Sequence, residues 1–315
     1  IVHLQLIHSA PFFNLRILPK LSRKYPLVYT LHDQWAYTGH CIHPLECRGW
    51  LSGCQICPFL KRSIEMKNDR AAYMYQQKQK IFSKSKLNLI VSSQWMYDRV
   101  KKSPIMSHLP CTIIPFGIDQ TIFYPEDKIL VRKALNIPVK NKVIIFRSSP
   151  HSEYKGMQYI QEALRNIDPV NITIMATDFL GGLEDFKEKY DILELGWVND
   201  QNLLRKYLSA ADIFLSPSLA ESFGMMPLEA MACGTPTIVF KNTALENLTC
   251  SPTIGTSVEY RDGQALGRAI EQLLNDPEDL TRRSDAGINF VRKNYTIEKY
   301  VDKHIHFYNS LIEIQ

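Results

Sequence analysis

The stretch "DIFLSPSLAESFGMMPLEAMACGTPTIVF", Asp212–Phe240, decides the fold. It opens on a short apolar, β-branched run, "DIFLSPS", of the length and composition of a buried strand. A polar turn, "LAESFG", follows. Pro227 then sits in the first turn of a helix, where its missing N–H costs little. "LEAMAC" continues that helix, and Gly234 is a good residue to end it. "TPTIVF" begins a second buried run. A strand, a crossover helix and a second strand within one short stretch imply parallel pairing, because a crossover returns the chain in the same direction.

The same alternation extends in both directions. "PLVYTLHD", "LNLIVSS" and "CTIIPFG" read as buried strands of a first half. "KVIIFRSS", "NITIMATDF" and "DILELGWV" join "DIFLSPS" and "TPTIVF" in a second half, with helical patterns such as "QYIQEALRNI" and "NLLRKYLSAA" between them. The expected class is α/β, with two Rossmann-like domains built on parallel sheets. The expected boundaries are 1–115, 116–295 and a C-terminal helix at 296–315 that packs back on the first domain. Residues 115–140, with scattered prolines and polar residues, read as the linker. The chain opens inside an apparent strand, "IVHLQLIH", without an initiator Met, so an N-terminal portion is expected to be missing and the first domain incomplete.

Composition narrows the partners. The 315 residues are 45% hydrophobic and 22% charged, as in a globular protein, and no apolar run reaches the roughly 18 residues of a membrane span. The net charge of +5 divides unevenly. Residues 1–115 carry 16 Lys and Arg against 5 Asp and Glu, a net +11, whereas 116–315 carry 21 against 27, a net −6. A basic half suits anionic lipid or phosphate ligands, or is an ordinary basic surface. "FFNLRILPKLSRKY" would place Arg16, Lys20, Arg23 and Lys24 on one helix face, which suits peripheral contact with an anionic membrane at its inner, cytoplasmic side. No nucleic-acid recognition motif occurs.

Ligands of open α/β sheets bind beyond the carboxyl ends of the strands. The residues there are His32 and Asp33, Ser92 and Ser93, Arg147 followed by Lys155, Gly196, and the turn that starts at Glu221. Backbone N–H groups from Phe223 to Met226 would project from a helix start, beside the positive end of its dipole, and make a phosphate site. Glu221 lies on the loop beside it and Glu229 inside the helix. A hydrolytic acid/base pair needs carboxyls about 5–10 Å apart. Eight helical positions separate these two by about 12 Å, so separate roles fit better. Helix capping or surface ion pairing is the structural alternative.

"ESFGMMPLE", following "SPS" and preceding "AMACGTPTI", resembles the E-x7-E signature of family 4 (group 1) glycosyltransferases, which are retaining, nucleotide-sugar-dependent enzymes of the GT-B fold. "IIPFGIDQTIFYP" resembles the family's interdomain segment, with Phe116 where Asn is usual, and "RSSPHSEYKG" its Arg…Lys-Gly donor-diphosphate segment. "TLHDQWAYTGHC" resembles a subgroup active in bacterial exopolysaccharide and lipopolysaccharide synthesis. The family's N-terminal Gly-rich loop is not in this sequence. The resemblance implies that Arg147 and Lys155 hold the donor diphosphate, together with the backbone of Phe223, Gly224 and Met225. It implies that Glu221 meets the donor sugar, Glu229 the ribose hydroxyls, and Gly196 the base. It places His32 against the donor sugar from the first domain, where the other reading is a hydrogen-bonded half-buried imidazole. Ser92 is a donor contact or, with Ser93, part of a helix cap.

The implied function is transfer of a sugar from a nucleoside diphosphate sugar to a carbohydrate or lipid-linked acceptor, with no cofactor required for catalysis. The alternatives are a GT-B nucleotide-sugar epimerase and a non-catalytic sugar-nucleotide-binding subunit. No G-x-G-x-x-G follows a strand, so a dinucleotide dehydrogenase is not expected. Finally, "CIHPLECRGWLSGCQICP" carries Cys41, Cys47, Cys54 and Cys57. The C-x2-C spacing suits a structural zinc, with His40 and His43 as alternative ligands; reduced buried thiols and disulfides are the other readings.

Overall fold

The computed structural model describes residues 1–9, 13–62, 64–178 and 180–313. The chain divides into two compact units, residues 1–115 with 300–315, and residues 116–299.

Unit 1 is built on β1 (Val2–Leu4), β2 (Leu27–Leu31), β3 (Leu87–Val91) and β4 (Cys111–Ile113), paired in that order and all parallel. Between them lie α1 (Leu18–Leu21), α2 (Ala71–Phe82) and α3 (Gln94–Lys102). β2 is buried at every position, as its run of apolar residues requires. The basic helix expected at "FFNLRILPKLSRKY" is only a 3₁₀ turn, Leu15–Ile17, running into the four residues of α1. Leu18 is its buried anchor, and Pro19 occupies the first turn. The long segment between β2 and α2 has little regular structure, and Lys78 of α2 holds its first turns. The buried Lys78 Nζ donates to the carbonyls of Trp35, Thr38 and Gly39 at 2.6, 3.0 and 3.3 Å, and lies 3.6 Å from the centre of the Trp35 ring.

Unit 2 contains α4 (Lys128–Ala134), β5 (Lys142–Ser148), α5 (Met157–Asn166), β6 (Ile172–Asp178), β7 (Asp191–Gly196), α6 (Gln201–Ala210) and β8 (Ile213–Ser216). It continues through α7 (Met225–Ala232), β9 (Thr237–Phe240), α8 (Ala244–Leu248), β10 (Thr256–Val258), α9 (Gly263–Leu274) and α10 (Pro277–Asn294). The strands pair in the order β10-β9-β8-β5-β6-β7, all parallel. Residues 115–140 do not form a linker. Ile118, Phe123, Val131 and Ile137 enter the core of unit 2, because their apolar side chains gain more from burial than a solvated connection allows. α11 (Ile297–Glu313) closes the chain, and its Tyr300, Phe307, Tyr308 and Leu311 pack on Val28, Ile90 and Ile114 of unit 1.

One buried polar cluster ties α4 to the sheet of unit 2. Arg132 Nη2 donates to Asp212 Oδ2 at 2.7 Å, and its other nitrogens reach the carbonyls of Ala210 and Asn141. Asp212 also accepts from Val143 N at 2.8 Å and from Lys128 Nζ at 3.0 Å.

Candidate active site

The strand order of unit 2 reverses between β5 and β8, and such a switch point leaves a crevice beyond the carboxyl ends of the two strands. The expected diphosphate residues stand there. Arg147 is the penultimate residue of β5. The loop after β5 and the loop after β8 are stitched together: Leu219 N donates to Tyr154 O at 2.7 Å. Gly156, the N-cap of α5, has φ +72°, and a Cβ there would lie 2.0 Å from Pro217 O. Only glycine allows that approach. The result brings Lys155 Nζ to 2.7 Å from Glu221 Oε2, although 66 residues separate them in the chain.

α7 begins at Met225, which puts Pro227 in its first turn as the sequence suggested. Gly224 is its N-cap, at φ +110°, and a Cβ there would lie 2.3 Å from Leu245 Cδ2. The Phe223 side chain is buried against Phe116 and Tyr295, leaving its backbone as the part that can meet a ligand. The first N–H groups of α7 and its positive dipole end thus lie beside Glu221.

Arg147 is not isolated. Its Nε donates to Asp178 Oδ2, and Asp178 lies beside Ser148 at the end of the neighbouring strand. Sequence reading missed Asp178; its position at the end of "NITIMATD" was the available clue. Glu229 lies one turn into α7, where burial pushes its carboxyl up to about 7. Gly196 ends the edge strand β7 at φ +62°, opposite Thr177.

The unit 1 candidates stand at the ends of β2 and β3. Ser93, not Ser92, caps α3, its Oγ accepting from Met96 N at 3.2 Å; Ser92 is buried. His32 Nε2 donates to Gln5 Oε1 at 2.6 Å. Gln5 Nε2 in turn donates to His3 Nε2 at 3.0 Å, and His3 Nδ1 meets the Tyr308 hydroxyl at 2.6 Å. Burial, reinforced by His304 and His32, lowers His3 to about 4. Burial also lowers His32, so its imidazole is neutral near pH 7. This side-chain chain from α11 to His32 was not legible in the sequence.

The four cysteines of the segment lie near enough to act on one another: after burial, Cys57, Cys47 and Cys54 all raise the Cys41 thiol. Among the described residues no group of three or more His, Cys, Asp or Glu side chains is placed to hold a metal ion. The sulfurs engage local groups instead. Cys54 Sγ accepts from Gly39 N and Cys47 Sγ from Gly49 N. His40 Nε2 lies 3.3 Å from Cys57 Sγ and 3.7 Å from Cys41 Sγ, and its Nδ1 donates to Ile64 O at 2.9 Å. All four thiols are free, and burial raises that of Cys41 to about 12.

Two parallel α/β units, the second with a cationic crevice at its switch point, constitute the GT-B glycosyltransferase fold. The solved structures agree. Sucrose-phosphate synthase from Thermosynechococcus elongatus matches at a TM-score of 0.74 and 18% identity, covering 99% of this chain and 74% of that one. Anabaena HepE, solved in complex with UDP-glucose, matches at 0.67 and 18%, covering 94% and 76%. Residues 127–290 match the glycosyl transferases group 1 family, and the chain belongs to it. A lipopolysaccharide core biosynthesis mannosyltransferase, LpcC of Rhizobium leguminosarum bv. viciae, is 28% identical over 227 residues, 65% of this chain and 61% of that protein. The chain spans about half to three fifths of the length of the first curated relatives it matches. Among the described residues no helix is long and apolar enough to cross a membrane.

Glu229 yields a prediction at this site. A carboxylate accepts from two ribose hydroxyls better than a neutral carboxyl does. Its raised value means that the ionised form grows as pH rises through about 7. Nucleoside diphosphate affinity is therefore expected to rise between pH 6 and 8 in the native protein, and the Glu229-dependent part of that rise is expected to vanish in Glu229→Gln. The sign for stability is opposite. A carboxyl raised in the folded state stabilises it relative to the ionised form below its unfolded value, and that stability is lost as pH rises through 7. Glu229→Gln is thus expected to raise Tm at pH 8 while weakening nucleotide binding. Calorimetric titration and thermal unfolding across this pH range check both, and identical pH slopes in the two proteins would remove the ribose assignment.

Proposed function

We propose that this chain carries the donor-binding machinery of a retaining glycosyltransferase, which moves a sugar from a nucleoside diphosphate sugar to a carbohydrate or lipid-linked saccharide in cell-surface polysaccharide synthesis. One observation carries the reading: Arg147, Lys155 and the start of α7 share the switch point of unit 2, with Glu221 held against Lys155. The relative named as a lipopolysaccharide core mannosyltransferase and the neighbour solved with UDP-glucose support the donor and pathway classes.

In this reading the bond from the sugar's anomeric carbon to the diphosphate oxygen breaks, leaving negative charge on the diphosphate. Fixed cations and helix N–H groups stabilise that developing charge without reorganising. Lys155 supplies a point charge and Arg147 a planar fork. The acceptor hydroxyl forms the new bond on the same face, and its proton passes to the departing phosphate oxygen. Glu221 orients Lys155 and accepts from sugar hydroxyls, and Glu229 accepts from the ribose. No proton-transfer step is assigned to His32.

Incubation of the full-length protein with a panel of nucleotide sugars and saccharide acceptors, read by mass spectrometry, tests the proposal. Transfer with retained configuration supports it. An isomerised donor without transfer would indicate an epimerase. Nucleotide binding with neither reaction would indicate a binding subunit.

A further inference from the structure

Unit 1 contains a cavity of about 540 Å³, within the size range of small-ligand pockets. One wall is the face of α2 that carries Tyr73, Gln77 and Ile81, spaced by one helical turn each. The facing wall is the turn that carries Phe13, Asn14 and Arg16. Trp35 closes one end, a few residues beyond the carboxyl end of β2.

The lining has a specific chemistry. The Trp35 ring is already engaged, by Lys78 Nζ at 3.6 Å from its centre and by the His8 ring with centroids 5.3 Å apart. Tyr73, half exposed, offers a ring to cover an apolar sugar face, with Phe13 on the facing wall. The Gln77 amide lies on the same wall, able both to donate and to accept, as sugar hydroxyls require. Charge is asymmetric: among the described residues Arg16 lines the cavity and no Asp or Glu does. Asp33, two residues before Trp35, is already engaged, by His8 Nε2 at 3.5 Å and by Trp35 N at 2.8 Å. The Arg16 guanidinium makes no ion pair among the described residues; its backbone N–H is what Asn14 holds, at 3.0 Å.

We propose that this cavity is a subsite for a saccharide bearing an anionic group, with Tyr73 and Gln77 against the sugar ring and Arg16 paired to the anion. It rests on the transferase reading, in which such a saccharide is part of the acceptor. A phosphate or a uronate carboxylate would satisfy the same guanidinium.

The test uses the full chain in low salt, saturated with UDP so that the switch-point site of unit 2 is filled. Saturation-transfer NMR then compares glucose, glucose 1-phosphate and glucuronic acid as probes. The expected result is a preference of about fivefold for one or both anionic sugars over glucose, the scale of one exposed ion pair. Arg16→Ala should abolish that preference, and Tyr73→Ala and Gln77→Leu should weaken all three probes. Preference for glucose 1-phosphate alone assigns the anion as phosphate, and for both as either group. Arg16 and Tyr73 are exposed, so their variants should retain the native Tm. Equal binding of the three sugars, or a preference that survives Arg16→Ala, would overturn the proposal. So would Arg16-dependent binding to anionic vesicles without sugar preference. Absence of UDP binding in the native protein would instead count against the transferase reading, which the sugar probes do not address.

Discussion

Lys155→Ala is expected to lower the rate of sugar transfer by about 10²–10³, the scale of losing one preorganised group that stabilises charge in the transition state. The loss should exceed that of Arg147→Ala. Removing Lys155 deletes a cation and also leaves the Glu221 carboxylate, now 2.7 Å from Nζ, facing the diphosphate without its partner. Removing Arg147 leaves only Asp178, which lies at the end of the neighbouring strand. Nucleoside diphosphate should stabilise the native fold in a thermal-shift assay and stabilise Lys155→Ala much less. Adding Glu221→Gln to Lys155→Ala should recover part of that stabilisation, because the repulsion goes with the charge. Single-turnover rates with the donor found by the panel decide the matter. If both alanine variants work within threefold of the native rate, the switch-point cations do not serve the leaving group.

Asp212→Ala is expected to destabilise unit 2 by roughly 3–5 kcal/mol, because it strands a buried guanidinium. Arg132 would keep its three carbonyl partners but lose its counter-charge, and Val143 N would lose its acceptor. For a unit of this size the change in Tm is on the order of 10 °C. The cluster also sets an acid limit. Burial alone would raise the Asp212 carboxyl, but Lys128, Arg132 and the Val143 N–H outweigh it and hold it below its ordinary value of 3.8. A carboxyl depressed in the folded state contributes stability that is present above its unfolded value and lost as pH falls through the folded one. Thermal unfolding from pH 7 to pH 3 should therefore show the gap between the native protein and Asp212→Ala beginning to narrow as pH falls below the carboxyl's ordinary value. A variant with native Tm at pH 7 would show that the cluster contributes nothing.

Several strands were legible because their residues announce themselves locally. "KVIIFRSS" and "PLVYTLHD" hold near-continuous apolar runs, which suit strands buried on both faces, and β5 and β2 form there. β10, with only Thr256–Val258, has no such run and was not anticipated. Residues 115–140 were misread because scattered prolines and polar residues suggested a connection, whereas four apolar side chains in them are core. The cysteine spacing carried no sign of the partners the sulfurs take, Gly39, Gly49 and His40, because these contacts depend on how the loop folds.

The sequence by itself determined the parallel α/β architecture, the Gly-hinged start of α7 and the candidate cations at strand ends, because each depends on side chains only a few residues apart. The tertiary structure alone decided which of these meet. Lys155 reaches Glu221 because β5 and β8 are neighbours in the sheet. Asp178 holds Arg147 because β6 lies on the other side of β5. The cavity of unit 1 exists because the wall of α2 stands opposite a turn more than fifty residues earlier. Contacts of that kind are set by strand order and register, which local periodicity does not encode.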